Sequence, residues 1–308
     1  MARDFAADLV DPIAREVVQN VGVWVDKEVR PVATELEHAD QYPDALVKGM
    51  ADMGLFGIKI PEAYGGLDLS FECYAGVCME LSRGWMSLAG IINTHVLVGY
   101  AISEYGTEEQ KQKYLPKLVP PDIRCALTIT EPDAGSDAQA IKTYARRDGD
   151  DYIINGQKIW TSGGHLADWG WMAARTDPDA PKHKGITMFM LDMKTPGITV
   201  RPLINMANRE GFNEIFFEDV RVPANQVVGE VNRGWYHMAV ALDFERSGIQ
   251  AFAGGRRTVE GLVALAKSKP ELVERRPSIR MELADRAVEV NVGTFLAYRV
   301  ATMQARGM

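Results

Sequence analysis

The segment Thr128–Asp137 carries the residues best suited to bind a ligand, and it reads T-I-T-E-P-D-A-G-S-D. Thr130 offers a hydroxyl at the end of a strand-like run, and Pro132 fixes the direction in which the chain leaves that run. Gly135 and Ser136 can expose consecutive backbone N–H groups, and such a nest binds electron-rich oxygens or ring heteroatoms. The alternative is an ordinary polar turn that is capped by its own Asp or Ser side chains.

Two further segments carry groups that suit a binding or catalytic site. Trp160 lies in N-G-Q-K-I-W-T-S-G-G, where the residues alone favour a core aromatic on a strand. Glu245 lies in L-D-F-E-R, where the residues alone favour a solvated helix carboxylate. Asp243 and Arg246 are three residues apart, so on a helix they can form an ion pair of small energetic value.

The composition excludes several classes of function. The chain has 308 residues, of which 46% are hydrophobic and 25% charged, and this is typical of a soluble globular protein. Its net charge of −8 disfavours a nucleic-acid or anionic-membrane partner, because both require clustered cations. Three cysteines without a CxxC pair and five histidines without HExxH spacing give no support to a disulfide framework or a metal site.

Targeting and membrane signals are also missing from the sequence pattern. The start M-A-R-D-F-A-A-D-L-V-D has neither a basic region followed by an apolar run nor the acid-poor character of a transit peptide. The longest apolar stretch, residues 87–102, contains Asn93 and His95 and is too short and too polar to span a bilayer. We therefore expect a cytoplasmic protein in which this stretch is a buried helix.

The first 120 or so residues have the apolar spacing of helices. Ile13, Val17, Val21 and Val25 recur every four positions, and Pro31 predicts a kink after them. Further helices are predicted over 44–53, 71–83 and 86–105. Another begins at Thr107, which forms a capping box with Gln110 three residues later.

From residue 123 the spacing changes to that of strands. Seven short runs rich in β-branched and aromatic residues are separated by turn signals such as Asp148-Gly149 and Asn155-Gly156. The candidate strands are RCALTIT, IKTYARR, YIINGQKIW, DWGWMAART, ITMFMLDM, GITVRPLI and NEIFFEDVRV. Seven strands with tight turns and no helix-length inserts predict an antiparallel sandwich or barrel.

After Pro223 the helical spacing returns. One long helix is predicted over 234–267, weakened at Gly248, Gly254 and Gly255, and a second is predicted after Pro277. The order of elements predicts an α+β protein, mostly α, with three domains. These are an N-terminal α-helical domain over 1–122, a middle β domain over 123–229 and a C-terminal helical domain over 230–308.

Several longer motifs, taken together and in order, resemble the acyl-CoA dehydrogenase family of flavoproteins. They are Y-G-T-E-E-Q-K-Q-K-Y-L-P (105–116), T-E-P-D-A-G-S-D (130–137), N-G-Q-K-I-W-T-S-G-G (155–164), F-N-E-I-F-F-E-D-V-R-V-P (212–223), G-W (234–235) and L-D-F-E-R (242–246). The resemblance covers nearly the whole chain. It implies an N-terminal helical domain, a central antiparallel β-barrel or sandwich and a C-terminal helical bundle, which is incomplete here.

The resemblance also implies the residues of the site. The positions that match the family's FAD contacts are Leu127, Ile129, Thr130, Gly135, Ser136, Trp160, Thr161 and Ser162. Among them Trp160 is expected to pack on the flavin and Thr130 to approach its pyrimidine side. The positions that match contacts to the acyl-CoA are Ser136, Asp243 and Arg246.

The implied reaction removes two hydrogens from an acyl-CoA thioester and forms the trans-2,3-enoyl-CoA. Glu245 matches one of the family's two base positions and is expected to take the α-proton, while the β-hydrogen leaves as hydride to the flavin. The electrons are expected to pass to an electron-transfer flavoprotein, as in fatty acid β-oxidation. The family also implies a homo- or hetero-oligomer, either a dimer or a tetramer. Which acyl group is oxidised stays open.

Two departures from the family pattern leave alternatives open. The family's Arg-x-x-Phe-Gly element is replaced by R-R-T-V-E-G-L-V, in which Arg256 or Arg257 is the candidate substitute. The family's final helices and its Gly-Gly-Thr-rich loop have no counterpart in the sequence. One alternative is therefore a non-catalytic partner subunit of a heteromeric enzyme. The other is a related flavin oxidase that reacts directly with oxygen.

Overall fold

A computed structural model describes Leu9, residues 11–243 and residues 249–306. The described residues form two compact units. The helical unit comprises those in Met1–Gly49, Leu69–Asn93 and Asp243–Met308, and the sheet unit comprises Met50–Asp68 and Thr94–Leu242. Helices from both ends of the chain thus share one unit, and the predicted boundaries at residues 122 and 229 stay a prediction.

The helices follow the predicted order along the chain. They are α1 Pro12–Trp24, α2 Ala33–Ala39, α3 Asp44–Asp52, α4 Phe71–Gly84, α5 Met86–Tyr105, α6 Glu108–Leu118, α7 Gly234–Asp243, α8 Ile249–Ser268, α9 Pro270–Arg275 and α10 Ile279–Ala305. The helix predicted over 234–267 corresponds to α7 and α8, and Gly248 lies outside the described residues. Gly254 and Gly255 lie inside α8 without interrupting it. The short helix α9 is not predicted from the sequence.

The first helix begins and ends for local reasons. The Asp11 carboxylate accepts a hydrogen bond from the backbone N–H of Ile13 (3.0 Å) and so caps α1. The helix continues into a π-helical turn, Val25–Val29, and the chain then breaks around Pro31 before α2. Proline lacks the N–H that a continuing helix needs, and the predicted kink at this position is confirmed.

In the helical unit, α4 packs against α1, α8 and α10. The approach to α1 is close because two positions lack a side chain. A Cβ atom added to Gly76 would lie 2.7 Å from a methyl carbon of Val18, and one added to Gly84 would lie 2.6 Å from a methyl carbon of Val25. Real Cβ atoms do not approach so closely, so glycine sets the distance between these helices.

The sheet unit contains eight described strands in one mixed sheet. The strands are β1 Cys125–Thr128, β2 Tyr144–Asp148, β3 Asp151–Ser162, β4 Trp169–Arg175, β5 Ile186–Asp192, β6 Ile198–Leu203, β7 Phe212–Pro223 and β8 Val227–Val228. The order is β6-β7-β3-β2-β4-β5-β8, with β1 on β4. All seven predicted strands are confirmed, and only the two-residue β8 is added.

The expectation of a wholly antiparallel sheet needs one correction, because β1 and β2 both run parallel to β4. Tight turns force antiparallel pairing only on strands that they join directly, such as β2 and β3. Since β5 pairs along the whole of β4, β1 and β2 share its opposite edge. The intervening residues 129–143 therefore leave the sheet at that edge as a long turn.

The sheet has an apolar cluster on each face. On β4 the side chains alternate, with Trp171 in the cluster that contains residues of α5 and α6 and Met172 in the other. The capping box predicted at the start of α6 is confirmed, since Thr107 Oγ1 accepts from the Gln110 N–H (3.3 Å) and the Gln110 side chain accepts from the Thr107 N–H (3.0 Å). The Gln110 amide also donates to the carbonyl of Val227 (2.8 Å), which ties α6 to β8.

Among the described helices, α5 passes a membrane-span test of length and composition. More than half of its most apolar window is buried inside the protein. Leu97, Ala101 and Ile102 on this helix belong to the core cluster of the sheet unit. This burial agrees with the buried helix predicted from the polar residues in the stretch.

Candidate active site

The long turn between β1 and β2 is closed by one carboxylate. Glu131 is buried, and its carboxylate accepts hydrogen bonds from the backbone N–H groups of Lys142 (2.6 Å) and Thr143 (2.9 Å). The backbone of Glu131 also exchanges two 3.1 Å hydrogen bonds with that of Ala134. These bonds hold both ends of the turn together and leave its tip, 135–137, exposed.

The tip of the turn is an open group of backbone donors. Gly135 and Ser136 are both exposed, and a Cβ atom added to Gly135 would meet nothing within 4 Å. Within the described part of the chain, no hydrogen bond uses the backbone N–H of either residue. The nest predicted from the sequence is therefore available to a ligand that carries acceptor atoms.

Trp160 lies in an irregular part of β3 and is exposed. Lys158 pairs with Ile215 and Thr161 with Asn213, so two residues of β3 face one residue of β7 and form a β-bulge. Within the bulge Trp160 has a φ of 61°, in the left-handed region that a bulky residue rarely adopts. Its side chain is 59% exposed. Strain of this kind is found mainly at functional sites.

The bulge is held on both sides by buried polar side chains. The Asn213 amide, which has no exposed surface, donates to the carbonyl of Thr161 (3.0 Å). The Lys158 ammonium, also without exposed surface, donates to the carbonyl of Ile129 (3.0 Å) and to the carboxylate of Glu131 (2.8 Å). The structure therefore brings Trp160 next to the long turn through bonds that the sequence analysis did not identify.

The predicted flavin contacts offer different groups to a ligand. Ser162 is exposed and Thr130 is half-buried, so both residues present part of their surface to a ligand. Ile129 and Thr161 are buried, so neither presents its side chain at the surface. The Thr161 hydroxyl has no hydrogen-bond partner among the described residues. Leu127 is half-buried and packs against the core cluster.

The predicted catalytic segment cannot be placed. Glu245 and Arg246 lie outside the described residues, and Asp243 is the last described residue of α7. Their predicted roles therefore rest on the sequence alone.

The two arginines that are candidate substitutes for the family's Arg-x-x-Phe-Gly element are engaged in the helical unit. Arg256 pairs with Glu260 (3.0 Å) and approaches Glu80 (3.9 Å). Arg257 donates to the carbonyl of Gly84 (3.1 Å). In this structure both side chains therefore connect α8 to itself or to α4.

The electrostatics of the turn are dominated by the Lys158–Glu131 pair. Burial lowers the pKa of Lys158, although the neighbouring Glu131 carboxylate opposes this effect. Burial alone would raise the pKa of Glu131, but the Lys158 ammonium and the backbone N–H bonds hold it below its usual range. The pair is therefore an ammonium and a carboxylate at neutral pH.

Two family models match the chain. The N-terminal domain of acyl-CoA dehydrogenase matches residues 11–120, and the middle domain of acyl-CoA dehydrogenase matches residues 126–220. The second match contains both the long turn and the bulge at Trp160.

Two named relatives and one solved structure are similar to this chain over most of their length. The 3-(aryl)acrylate reductase of Clostridium sporogenes is 32% identical over 303 residues, which cover 96% of this chain and 78% of the relative. An acyl-CoA dehydrogenase of Bacillus subtilis is 35% identical over 291 residues, which cover 92% of this chain and 76% of the relative. The structure of butyryl-CoA dehydrogenase from Megasphaera elsdenii matches with a TM-score of 0.89 at 29% identity, and the match covers 97% of this chain and 81% of that chain.

The chain belongs to the acyl-CoA dehydrogenase family. Members of this family are FAD-dependent oxidoreductases that act on a CH–CH group, and the chain is an enzyme of this class.

The groups present in the sheet unit fit a flavin. A flat, electron-poor ring system needs an aromatic wall and hydrogen bonds to its ring nitrogens and oxygens. The exposed Trp160 indole offers the wall. The N–H groups of Gly135 and Ser136 and the hydroxyls of Thr130 and Ser162 offer the donors.

Proposed function

We propose that this chain oxidises an acyl-CoA thioester to the trans-2,3-enoyl-CoA with FAD as the cofactor. The observation that carries the proposal is the exposed, strained Trp160, which follows directly on the β3 residues bonded to the start of the turn that carries the open backbone donors. Family membership supports the same reaction class. Bound FAD would supply the hydride acceptor for the β-hydrogen of the substrate.

In this proposal, residues of the sheet unit bind and orient the flavin and the thioester. Trp160 packs on the flavin ring, and Ser162 and Thr130 donate hydrogen bonds to its heteroatoms. Gly135 and Ser136 approach the cofactor and the thioester from the tip of the turn. An α-C–H of a thioester is a weak acid, so donors must also reach its carbonyl oxygen as enolate character develops.

Glu245 is the proposed base that takes the α-proton. It is the carboxylate that matches a family base position, and a base must lie within hydrogen-bond reach of the proton that it removes. Burial beside a thioester and a flavin would raise its pKa, because desolvation disfavours the ion. Asp243 and Arg246 are proposed to lie near the acyl-CoA.

The electron acceptor, the oligomeric state and the cellular location of the protein are also proposed. Electrons gained from the substrate must leave before the next turnover, and we propose an electron-transfer flavoprotein as their acceptor. We further propose a homo- or hetero-oligomer that works in the cytoplasm, in fatty acid β-oxidation. The acyl group is proposed only as far as the thioester class.

The flavin content and the acceptor preference of the purified protein test the proposal. A yellow protein whose acyl-CoA turnover needs an artificial dye, and not oxygen, is the expected result. Turnover with oxygen alone would instead indicate a flavin oxidase. A protein that binds FAD without any turnover would indicate a partner subunit, and one that takes up no added FAD would contradict the proposal altogether.

A further inference from the structure

A single buried ion pair connects the two segments that are proposed to face the flavin. Lys158 lies at the end of the regular part of β3, two residues before Trp160. Glu131 lies at the start of the long turn, directly after Thr130. The Lys158 side chain has no exposed surface and that of Glu131 is 5% exposed.

Contacts of the Lys158–Glu131 pair involve the residues on both sides of Thr130. The Lys158 ammonium donates to the carbonyl of Ile129 (3.0 Å) and to the carboxylate of Glu131 (2.8 Å), the residues on either side of Thr130. The carbonyl of Thr130 itself accepts from the N–H of Ile159 (2.9 Å). Three consecutive residues of the turn are thus bonded to two consecutive residues of β3, immediately before the bulge.

The Glu131 carboxylate extends the same connection to the far end of the turn. It accepts from the N–H groups of Lys142 and Thr143, where the turn enters β2. Gly156 allows β3 to pass close to this point, since a Cβ atom there would overlap the Thr143 side chain. One ammonium and one carboxylate therefore fix the beginning and the end of the turn relative to the Trp160 bulge.

The net contribution of the Lys158–Glu131 ion pair to folding stability does not explain why the pair is present. A buried ion pair is often no more stabilising than apolar side chains of the same volume, because desolvation of the two charges offsets their attraction. What apolar side chains cannot supply is the directed bond from β3 to the carbonyl of Ile129. The distinctive contribution of the pair is therefore geometric.

We propose that Lys158 and Glu131 are positioning residues that hold the Thr130–Ser136 turn and the Trp160 bulge at the spacing that a flavin requires. The inference rests on the proposed function, since it assigns these two segments to one flavin site. Neither residue needs to touch the cofactor. Their role is to keep the groups that do so at a fixed distance and orientation.

The test compares FAD binding with folding stability in the apoprotein. Lys158→Met leaves an unpaired buried carboxylate, so its unfolding midpoint should fall and its Kd for FAD should rise at least tenfold. The double variant K158M/E131Q leaves no charge and keeps one acceptor oxygen, which serves one of the two N–H groups of Lys142 and Thr143. Its unfolding midpoint should recover part of the loss, while its Kd for FAD should stay at least tenfold above wild type.

A second readout reports the geometry of the bound cofactor. At saturating FAD, the visible circular dichroism of the flavin should differ between the double variant and wild type, because the two walls no longer hold the ring at one angle. A role in stability alone would leave this spectrum unchanged once the protein is folded and saturated.

The matched control is a buried ion pair in the helical unit. Glu80 and Arg83 are both buried and bonded at 2.7 Å. Glu80→Gln should lower the unfolding midpoint without changing the Kd for FAD by more than about twofold, since neither Glu80 nor Arg83 is bonded to the Thr130–Ser136 turn or to the Trp160 bulge. An equal loss of affinity in this variant would show that FAD binding follows stability alone, and would overturn the inference.

The failure of the inference is distinguishable from that of the proposed function. Wild-type FAD affinity and an unchanged flavin spectrum in K158M/E131Q would overturn the positioning role alone. Absence of FAD binding in the wild-type apoprotein would overturn both together. If Lys158→Met does not fold, the double variant carries the comparison, because it contains no unpaired buried charge.

Discussion

At the scale of single residues, two tryptophans show how the same side chain serves binding and packing. Trp171 on β4 has no exposed surface and lies in the core cluster of the sheet unit. Trp160 on β3 is 59% exposed and has a left-handed backbone. A large aromatic side chain that is more than half exposed in a strained backbone conformation contributes less to folding than a buried one, so its place in the protein is best explained by a ligand.

Replacing Trp160 with glycine should separate binding from stability. Glycine adopts a φ of 61° without a steric penalty, and the indole, which is 59% exposed, is only partly buried. We expect the free energy of unfolding to change by no more than about 1–2 kcal/mol, because relief of the left-handed strain, roughly 1 kcal/mol, offsets part of the lost burial. The Kd for FAD should rise by about 10-fold or more, since an aromatic contact and its buried area are lost. Chemical denaturation and FAD titration measure the two quantities.

Trp171→Ala is the matched control, with the opposite pattern. It removes a fully buried aromatic side chain and should cost roughly 3–5 kcal/mol of stability. If Trp160→Gly instead destabilised the protein as strongly as Trp171→Ala, the binding role assigned to Trp160 would be wrong.

The residues of the site were only partly predictable from the sequence. Gly135 and Ser136 are indicated by turn chemistry, because glycine and serine leave backbone donors accessible. Lys158 and Asn213 were missed, since their importance depends on partners 27 and 52 residues away along the chain. A lysine within a strand-like run is a weak signal, which becomes specific only when the run is known to be buried on both faces.

At the scale of the elements, the start of α6 depends on its capping box. The Thr107 side chain and backbone exchange hydrogen bonds with Gln110, which satisfies two donors at the helix end. Thr107→Ala should lower the free energy of unfolding by about 1 kcal/mol, as is typical for loss of an N-cap. Urea denaturation of wild type and variant measures this difference.

Thr258→Ala provides a control for this change. The Thr258 hydroxyl donates to the carbonyl of Gly254 within α8 and caps no helix end. Because alanine has the higher helix propensity, this variant should be neutral or slightly more stable. A loss as large as that of Thr107→Ala would contradict the capping explanation.

The end of α6 should make stability depend on pH. His95 on α5 is buried and donates from Nε2 to the carbonyl of Leu118 (2.7 Å), and burial lowers its pKa to about 4. The unfolded chain binds a proton near pH 6.5 and the folded chain does not, so stability is full above that pH and is lost as pH falls towards 4. Between about pH 7 and about pH 5 the loss from this group should be about 2 kcal/mol.

His95→Gln should remove that part of the pH dependence. Urea denaturation at both pH values gives the difference between wild type and variant. His38 on α2 is exposed, and His38→Gln should leave the dependence as it is in wild type. A pH dependence that survives in His95→Gln would show that other groups are responsible.

Element types were predictable, whereas pairing direction was not. Apolar spacing and turn residues predict all seven longer strands and every described helix except the short α9, because these signals are local. The parallel pairing of β1 and β2 with β4 depends on contacts between strands that are distant in sequence. The π-helical turn at Val25–Val29 has no local signature beyond the nearby Pro31.

At the scale of the whole molecule, the segments that are proposed to face the flavin lie among the described residues, whereas the proposed base does not. Thr130, Ser136 and Trp160 all lie in the sheet unit, and their surroundings can be described atom by atom. Glu245 comes from the segment that joins α7 to α8, outside the described residues. Its role as the base is proposed from the match of L-D-F-E-R to the family pattern.

The anaerobic reaction of the FAD-loaded protein with acyl-CoA thioesters tests the central claim most directly. Stopped-flow absorbance should show loss of the visible flavin band with at least one thioester in a panel of straight-chain, branched, aromatic and steroid side-chain substrates. Glu245→Gln should bind FAD and thioester as wild type does but reduce the flavin at least ~100-fold more slowly, since it keeps the size of the side chain and removes its basicity. A wild-type protein that binds FAD and never loses the band with any thioester would contradict the assignment as an acyl-CoA dehydrogenase.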